Sequence, residues 1–317
     1  MMNIKDFSFD LSLSPVDQHM LSEIADMTGV PEGALNIRKN GEGLVHSDSP
    51  NITIMPKSDK PGIDIIVKPG TKGEDVHIPV IVTESGKHDV VYNDFYIGAG
   101  ANVNIVAGCG IHNCGNEDSG HDGIHTFHIG KGASIKYVEK HYGEGDGNGK
   151  RILNPTTVVE MDEDSYCEME MVQIKGVDST YRKTEANLAA GAKMYVLEKL
   201  MTHGDQEAKT DMVVNLNGEG SSAQIISRTV GKDNSTQVFY PNAVGNNACH
   251  AHVQCDSIIM DNAKISSIPA ISANHPDAQV IHEAAIGKIN SDQLIKLETF
   301  GMTEEEAEDI IIQGFLK

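Results

Sequence analysis

The sequence predicts a mainly β protein, a β-solenoid that carries a short helix on its N-terminal side and an αα-hairpin at its C-terminal end. Three observations predict this architecture. Apolar residues alternate with period two over most of the chain, as in β-strands. A pattern of strand, tight turn and strand recurs about every 30 residues. No long helical pattern separates the copies, so βαβ crossovers are not expected.

Composition and charge already argue against several classes of function for this chain. The chain has 317 residues, 39% of them hydrophobic, and can bury a large core. Its net charge of −21 disfavours binding to nucleic acid or to anionic membranes. No apolar run approaches the roughly 20 residues that span a bilayer, and the first residues do not resemble a secretory signal. Five widely spaced cysteines make a poor disulfide framework, which favours free thiols in a reducing cytoplasm.

The first element is a helix within an N-terminal helical and loop segment over 1–50. Ser14 is a good N-cap, Pro15 suits the first helical position, and Gly29 is a plausible C-terminal stop. A Gly- and Ser-rich stretch that follows is expected to be a loop.

The β body is predicted over 51–286 and contains five copies of the repeat. The copies begin at Phe95, Phe127, Val159, Ala186 and Val214. Each copy has a small residue after its turn, where neighbouring coils approach closely: Ala101, Ala133, Ser165, Ala192 and Ser222. Stacked coils that bury one continuous core explain this pattern most simply. A β-sandwich or jelly roll is the alternative, because regular turn spacing also permits it.

The C-terminal segment, 287–317, is predicted to form two helices over 291–299 and 304–313. Asn290 with Gln293 and Thr303 with Glu306 form candidate capping boxes. Apolar residues are predicted to form one stripe on the second helix: Ala307, Ile310, Ile311 and Phe315. The hairpin fits two roles, an end cap for the solenoid or a docking module for a partner protein.

Three segments together resemble the SufB/SufD family of iron–sulfur cluster assembly scaffolds. They are GKGASIKYVEKHYGEG at 130–145, HVQCDSIIM at 252–260, and IHEAAIGKINSDQLIKLETFGMTEEEAEDIIIQGFL at 281–316. The resemblance implies a right-handed parallel β-helix and a C-terminal segment that docks SufC, an ABC-type ATPase. The chain is similar to short forms in which one scaffold replaces the SufB–SufD pair. No P-loop motif is present, so ATP hydrolysis is expected from the partner.

The resemblance also implies a functional site. Cys255 lies where SufB-type members carry the cysteine that accepts sulfur, while His282 and Glu283 lie where that form has a nearby histidine and acidic residue. A thiolate, an imidazole and a carboxylate can all bind iron. Cys255 as a small buried hydrophobe and Glu283 as a capping or salt-bridge residue are the alternatives. Two copies in a homodimer would present such sites symmetrically, and a SufB/SufD paralogue is the other candidate partner.

The stretch 108–130, GCGIHNCGNEDSGHDGIHTFHIG, is the second candidate site. Thiolates and imidazoles suit zinc or iron–sulfur binding. His125 shares the parity of Phe127, whereas His128 has the opposite parity. The predicted metal ligands are Cys109 and Cys114 with one or two of His112, His121 and His125. We expect them to be accessory ligands in a mobile, glycine-rich loop that becomes ordered when an ion binds. The alternative is a mobile polar loop in which His125 is a core residue.

The leading hypothesis is therefore an assembly scaffold that is not itself an enzyme and that holds an iron–sulfur cluster transiently. It would receive sulfur from a donor and dock the SufC-like ATPase through the apolar side chains of the hairpin: Leu294, Leu297, Ala307, Ile310, Ile311 and Phe315. Two alternatives remain open. One is a metal-dependent β-helix or cupin-like enzyme that uses the cluster between Cys109 and His128. The other is a structural partner protein with inert cysteines.

Overall fold

A computed structural model describes residues 2–317 as a parallel β-solenoid of about eight turns, with helices at both ends. The strands in chain order are β1 (Met2–Asn3), β2 (Ala34–Lys39), β3 (Glu42–Ser47), β4 (Ile52–Pro56), β5 (Gly62–Val67), β6 (Lys72–His77), β7 (Val80–Val82), β8 (His88–Ile97), β9 (Asn102–His112), β10 (Ser119–Ile129), β11 (Ser134–Glu144), β12 (Arg151–Leu153), β13 (Thr156–Met161), β14 (Tyr166–Lys175), β15 (Ser179–Leu188), β16 (Lys193–Thr202), β17 (Glu207–Leu216), β18 (Ser222–Gly231), β19 (Thr236–Gly245), β20 (His250–Ile259), β21 (Lys264–Ser267), β22 (Ala270–Ala273) and β23 (Gln279–Gly287). The helices are α1 (Phe9–Ser12), α2 (Pro15–Ala25), α3 (Ser291–Glu298) and α4 (Glu304–Leu316).

Two sheets enclose the core. Sheet A runs β1-β3-β2-β6-β9-β11-β14-β16-β18-β20-β23, and sheet B runs β21-β19-β17-β15-β12-β10-β8-β5-β4. The pairings β2–β3 and β4–β5 are antiparallel, while the pairs between successive coils are parallel. Parallel pairing of each coil with the next excludes the β-sandwich and confirms the predicted solenoid.

The sequence repeat corresponds to lateral neighbours in sheet B. Phe127 pairs with Phe95 on one side and with Val159 on the other, and the series continues through Ala186 to Val214. The Phe95 and Phe127 rings stack with their centroids 4.2 Å apart. The predicted repeat is therefore the physical repeat of the fold.

The turn between the two strands of each copy explains its glycines. Its left-handed position is filled by residues with positive φ: Gly100, Gly132, Asp164, Gly191 and Gly220. Gly and Asp tolerate this conformation better than other residues do. The buried small residue follows this position in each copy. In the fifth copy that residue is Ser221, at 1% exposure, rather than the predicted Ser222.

The N-terminal helix is anchored against sheet A. Ser14 and Asp17 form a capping box at the start of α2. The helix ends at Ala25, because Asp26 adopts a left-handed conformation, and not at the predicted Gly29. Residues 34–47, expected as a loop, instead form β2 and β3, which continue sheet A. Burial does not alternate along either strand, so the sequence lacks the period of two that predicts a strand.

The C-terminal hairpin packs on the outer face of sheet A. Thr303 and Glu306 form the predicted capping box of α4, whereas Asn290 caps α3 alone through the amide of Asp292. Ile312 and Leu316 bury their side chains against Val230. Within residues 2–317, the helices lack the length and apolar character needed to cross a bilayer.

Candidate functional site

Cys255 and His282 meet at the last coil of the solenoid. Cys255 lies on β20 with its side chain turned inward and only 2% exposed. His282 lies on the neighbouring strand β23, in register with Val253. The Cys255 Sγ atom is 3.5 Å from His282 Nε2. The predicted pair is thus brought together by parallel pairing of two strands that are 27 residues apart in sequence.

The Cys255 thiol is held in its protonated form by its surroundings. Burial raises its pKa to about 11, against a lowering effect from the Ser267 hydroxyl. A small cavity of about 20 Å³, room for about one water molecule, lies beside the thiol. Eight of the residues that line it are polar: Glu198, Thr210, Ser227, Thr229, Gln237, Ser257, Ser266 and Ser267. Binding of a metal ion would therefore have to displace the thiol proton.

Glu283 lies on the opposite face of the same strand. It is in register with Gln254, and its Oε1 atom is 3.1 Å from His252 Nε2 on the outer surface. Successive side chains of a strand point to opposite faces, so His282 and Glu283 cannot both face Cys255 within one regular strand. His282 and Glu283 are adjacent in the chain, but the structure turns His282 inward to Cys255 and Glu283 outward to His252.

A stripe of polar side chains leads through the interior to Cys255. Glu139, Glu198, Ser227 and Cys255 occupy one row across sheet A, interrupted by Met171. Each of these polar side chains is buried. Sequence reasoning missed this stripe, although an acidic residue at an inward position of strands β11 and β16 was a usable signal.

Hydrogen bonds and ion pairs satisfy the acidic members of this stripe. Glu139 pairs with Arg182 from sheet B, and Tyr137 donates a hydrogen bond of 3.1 Å to it. Glu198 accepts hydrogen bonds of 2.8 Å from Thr210 and from Ser227. Such pairing is what allows a charged group to remain in a protein interior.

The second predicted site is dispersed. Cys109 is not in a loop but on strand β9, 5% exposed, in an apolar cluster with Val80 and Ile111. His121 and His125 are buried inside the solenoid on β10, where His121 faces Asp89. His112 and Cys114 lie nearer the surface, with their side chains 3.0 Å apart. The five candidate ligands therefore do not converge on one point.

Within residues 2–317, no three Cys, His, Asp or Glu side chains are arranged to hold a metal ion together. Of the predicted cluster residues, Cys255 and His282 are the two whose side chains are in contact.

The six predicted partner-binding residues of the hairpin differ in accessibility. Ala307 is completely buried and Phe315 packs against the body of the protein. Leu294, Leu297 and Ile311 are half-buried. Ile310 is 47% exposed, and two residues not predicted, Ile295 and Phe300, are 56% and 73% exposed. The apolar surface of the hairpin is therefore formed by Ile295, Phe300 and Ile310.

The chain is similar to known proteins over most of its length. Residues 82–315 match the family model for the SufBD core domain of the SUF system of FeS cluster assembly. The chain belongs to the SufBD family. The match covers both the solenoid coils that carry Cys255 and His282 and the C-terminal hairpin, and it makes the chain an iron–sulfur cluster assembly protein of that family.

Curated SufBD proteins from archaea resemble the chain over most of its length. A SufBD family protein of Methanocaldococcus jannaschii is 29% identical over 257 residues, which is 80% of this chain and 79% of that protein. One from Archaeoglobus fulgidus is 25% identical over 86% of this chain and 73% of its own. One from Methanothermobacter thermautotrophicus is 28% identical over 68% of this chain and 52% of its own.

Proposed function

We propose that the chain is a scaffold on which iron–sulfur clusters are assembled and then passed on, with the cluster as transient cargo. The observation that carries this proposal is the Cys255–His282 pair, a thiol and an imidazole 3.5 Å apart on the last coil. Sulfur and nitrogen donors of this kind suit iron and iron–sulfur clusters. Cys255 would receive sulfur from a donor, and His282 would bind iron.

The open end of the solenoid supports a second copy of the chain as partner. β23 ends sheet A, while β21 and β22 end sheet B, so their outer edges have no strand neighbour among the described residues. Four isoleucines around this end are 43–52% exposed: Ile268, Ile271, Ile281 and Ile286. Exposed strand edges and apolar patches are typical of protein interfaces.

A symmetric dimer through this end would complete the ligand set. A two-fold interface places the same surface of each copy against the other, so two Cys255–His282 pairs would approach each other. Glu283, which is 59% exposed beside His252, would supply a carboxylate from the outer face. The alternative partner at this end is a SufB/SufD paralogue. Light scattering on the purified chain distinguishes the two, because a homodimer has twice the mass of a monomer that pairs only with a paralogue.

The ATPase would come from a SufC-like partner docked on the C-terminal hairpin. Ile295, Phe300 and Ile310 give the hairpin an exposed apolar surface, while Ile312 and Leu316 fix α4 to sheet A. This arrangement would pass a movement of the partner to β18 and β20, the strands next to the cluster site. The five free cysteines suit a reducing cytoplasm as the place of this work.

Anaerobic reconstitution with ferrous iron and sulfide tests the scaffold role. We expect the wild-type chain to bind iron and sulfide and to develop visible absorption. Cys255→Ser and His282→Ala should each lose most bound iron while keeping the wild-type circular dichroism spectrum. Cys167→Ser is the matched control, because Cys167 is also a buried thiol of the solenoid but is paired in register with Ile135 and Met194. Equal iron and sulfide binding by Cys255→Ser and wild type would contradict the proposal.

A further inference from the structure

Two of the predicted metal ligands in the stretch 108–130 share one space inside the solenoid. His121 and His125 both lie on β10 and point inward, and they are 2% and 4% exposed. Residues four apart on a strand are about 13 Å apart along the backbone, so rings that stood straight up from the sheet would not meet. Here the two rings lean toward each other over Gly123, which is the inward position between them.

Glycine at position 123 provides the space between the two rings. A Cβ atom there would lie 3.2 Å from Nε2 of His125 and 3.3 Å from Nε2 of His121. The two ring nitrogens are therefore no more than twice that distance apart, around the same point. Gly123 is not among the glycines with a positive φ, so its backbone conformation does not require glycine. What the missing side chain provides is room between two imidazoles.

The hydrogen bonds of His125 determine which of its nitrogens carries the proton. Nδ1 is 2.8 Å from the Tyr137 hydroxyl, and that hydroxyl donates its proton to Oε1 of Glu139 at 3.1 Å. The hydroxyl oxygen must then accept from Nδ1, so Nδ1 carries the hydrogen and Nε2 carries a lone pair. Nε2 has Nδ2 of Asn93 at 3.4 Å, a distance that is long for a hydrogen bond.

His121 has the same arrangement. Its Nδ1 atom is 3.4 Å from Oδ2 of Asp89, with which it is paired in register across β8 and β10. Arg38 donates two hydrogen bonds of 2.7 Å to the Asp89 carboxylate. Because a carboxylate only accepts hydrogen bonds, it favours the tautomer of His121 with the hydrogen on Nδ1. Nε2 of His121 then carries a lone pair, and among residues 2–317 it has no hydrogen-bond partner.

Two buried lone pairs thus face the same space. A buried polar atom without a partner destabilises a fold, and a cation between the two nitrogens would satisfy both at once. Neutral imidazole is the commonest protein ligand of divalent transition-metal ions. Histidines that bind a metal generally donate their other N–H to an oxygen atom that orients the ring, and Asp89 and Tyr137 lie in those positions.

We propose that His121 and His125 bind one divalent transition-metal ion, of the iron, cobalt or zinc type, through their Nε2 atoms over Gly123. Bonds of about 2.1 Å to both nitrogens would draw the rings closer together, with no side chain of residue 123 between them. The ion would replace the long contact with Asn93. Because no third Cys, His, Asp or Glu joins them within residues 2–317, water would take the remaining coordination positions.

This metal site is separate from Cys255 and goes beyond the proposed function, since it needs no sulfur. Both histidines belong to sheet B, whereas Cys255 lies on β20 of sheet A, the strand that follows β19. Four coil spacings, from β10 through β13, β15 and β17 to β19, correspond to roughly 19 Å along the solenoid. One ion therefore cannot be shared between the two sites.

The experiment uses Co²⁺ alone on the full-length chain without oxygen. Bound metal is counted after equilibrium dialysis, and the visible absorption of Co²⁺ reports whether its ligands are nitrogen or sulfur. We expect wild type to bind an ion with nitrogen ligands that His121→Gln and His125→Gln each lose. His128→Gln is the matched control, because His128 lies on the same strand but on the outer face, stacked on Tyr96.

Gly123→Ala tests the geometry, because it keeps both imidazoles and fills the space between them. An ion that binds only the folded chain raises its melting temperature. Co²⁺ should therefore raise the melting temperature of wild type and leave that of Gly123→Ala unchanged. Gly29→Ala is the control for an added methyl group, since a Cβ there meets no atom within 4 Å.

Cys255→Ser distinguishes this site from cluster assembly. It should keep the ion with nitrogen ligands and still fail in reconstitution with iron and sulfide. If His121→Gln, His125→Gln and Gly123→Ala bind as much Co²⁺ as wild type, the inference is wrong while the scaffold function stands. If these three variants lose the ion but Cys255→Ser assembles clusters as wild type does, the inference holds and the proposed function fails.

Discussion

The carboxylate of Glu139 and the guanidinium of Arg182 form an ion pair inside the solenoid, where their side chains are 2% and 5% exposed. Burial raises the pKa of Glu139, but the positive charge of Arg182 and contact with His141 hold it well below its usual range. The two sheets are therefore joined across the core by a charged contact as well as by apolar packing.

Removal of one partner of this ion pair should destabilise the protein strongly. Arg182→Met leaves Glu139 buried without its cation, and we expect the free energy of unfolding to fall by about 3–5 kcal/mol in urea denaturation. Arg151→Met is the control, since Arg151 and Asp178 form an ion pair nearer the surface that is worth about 1 kcal/mol or less. Addition of Glu139→Gln to Arg182→Met should recover part of the loss. If Arg182→Met and Arg151→Met lower the free energy of unfolding equally, loss of the buried ion pair is no more destabilising than loss of the one near the surface.

Acid should destabilise the fold through His125 before it protonates the carboxylates. Burial lowers the pKa of His125 from 6.5 to about 4, although Glu139 opposes that shift. Between these two pH values the unfolded chain binds a proton that the folded chain does not. Stability is therefore complete above pH 6.5 and falls with acidification, by up to about 3 kcal/mol from this residue.

Two variants on one strand isolate this effect. His125→Gln should flatten the dependence of unfolding free energy on pH between about 6.5 and 4. His128→Gln is the matched control, because His128 lies on the outer face of β10, where it stacks on Tyr96 with ring centroids 5.0 Å apart. An unchanged slope in His125→Gln would exclude His125 as the source of the acid sensitivity.

The close contact between α2 and β9 should not tolerate a side chain at residue 108. A Cβ atom on Gly108 would lie 2.2 Å from the carbonyl oxygen of Ile24. Gly108→Ala should therefore lower the free energy of unfolding by about 1–3 kcal/mol, measured by urea denaturation. Gly29→Ala serves as the control, because an added Cβ there meets no atom within 4 Å. A Gly108→Ala protein as stable as wild type would mean that α2 does not pack at this distance.

Docking of the ATPase should depend on the exposed side chains of the hairpin. Ile295→Ser and Phe300→Ser should each reduce co-purification with a SufC-like ATPase at least about tenfold, because exposed large apolar residues often dominate an interface. Both variants should melt as wild type does. Ile312→Ser is the contrasting variant. Because Ile312 is buried, its replacement should lower the melting temperature, which the two surface variants should not do. Full recovery of the ATPase with the double variant Ile295→Ser/Phe300→Ser would contradict the docking surface.

Local patterns in the sequence were sufficient for the architecture. The spacing of Phe95, Phe127 and Val159 predicted which residues lie side by side. Parity predicted that His125 shares the face of Phe127 and that His128 lies on the other face, as the structure has them. The capping box of α4 was equally visible, because it depends on residues three apart. The sequence did not predict the end of α2 correctly. The helix stops because Asp26 adopts a left-handed conformation, three residues before the predicted Gly29.

The sequence predictions were wrong where the local pattern around a residue fits two different structures. Gly108 and Cys109 read as part of a mobile loop, but Gly108 makes room for α2 and Cys109 fills an apolar cluster. Ile310 was predicted on the same stripe as Ala307, yet it is exposed while Ala307 is buried, because α4 turns Ile312 and Leu316 toward sheet A. In each case the packing partner lies far away in the sequence.

The sequence by itself determined the solenoid, its repeat and the family, because period, turn chemistry and motif spacing are properties of residues close together along the chain. Only the tertiary structure decided which thiol has which neighbour. Cys255 meets His282 because two coils stack in one register, and Cys114 meets His112 and Glu144 because β9 pairs with β11. Glu283 is separated from Cys255 for the same physical reason, since a strand directs consecutive side chains to opposite faces.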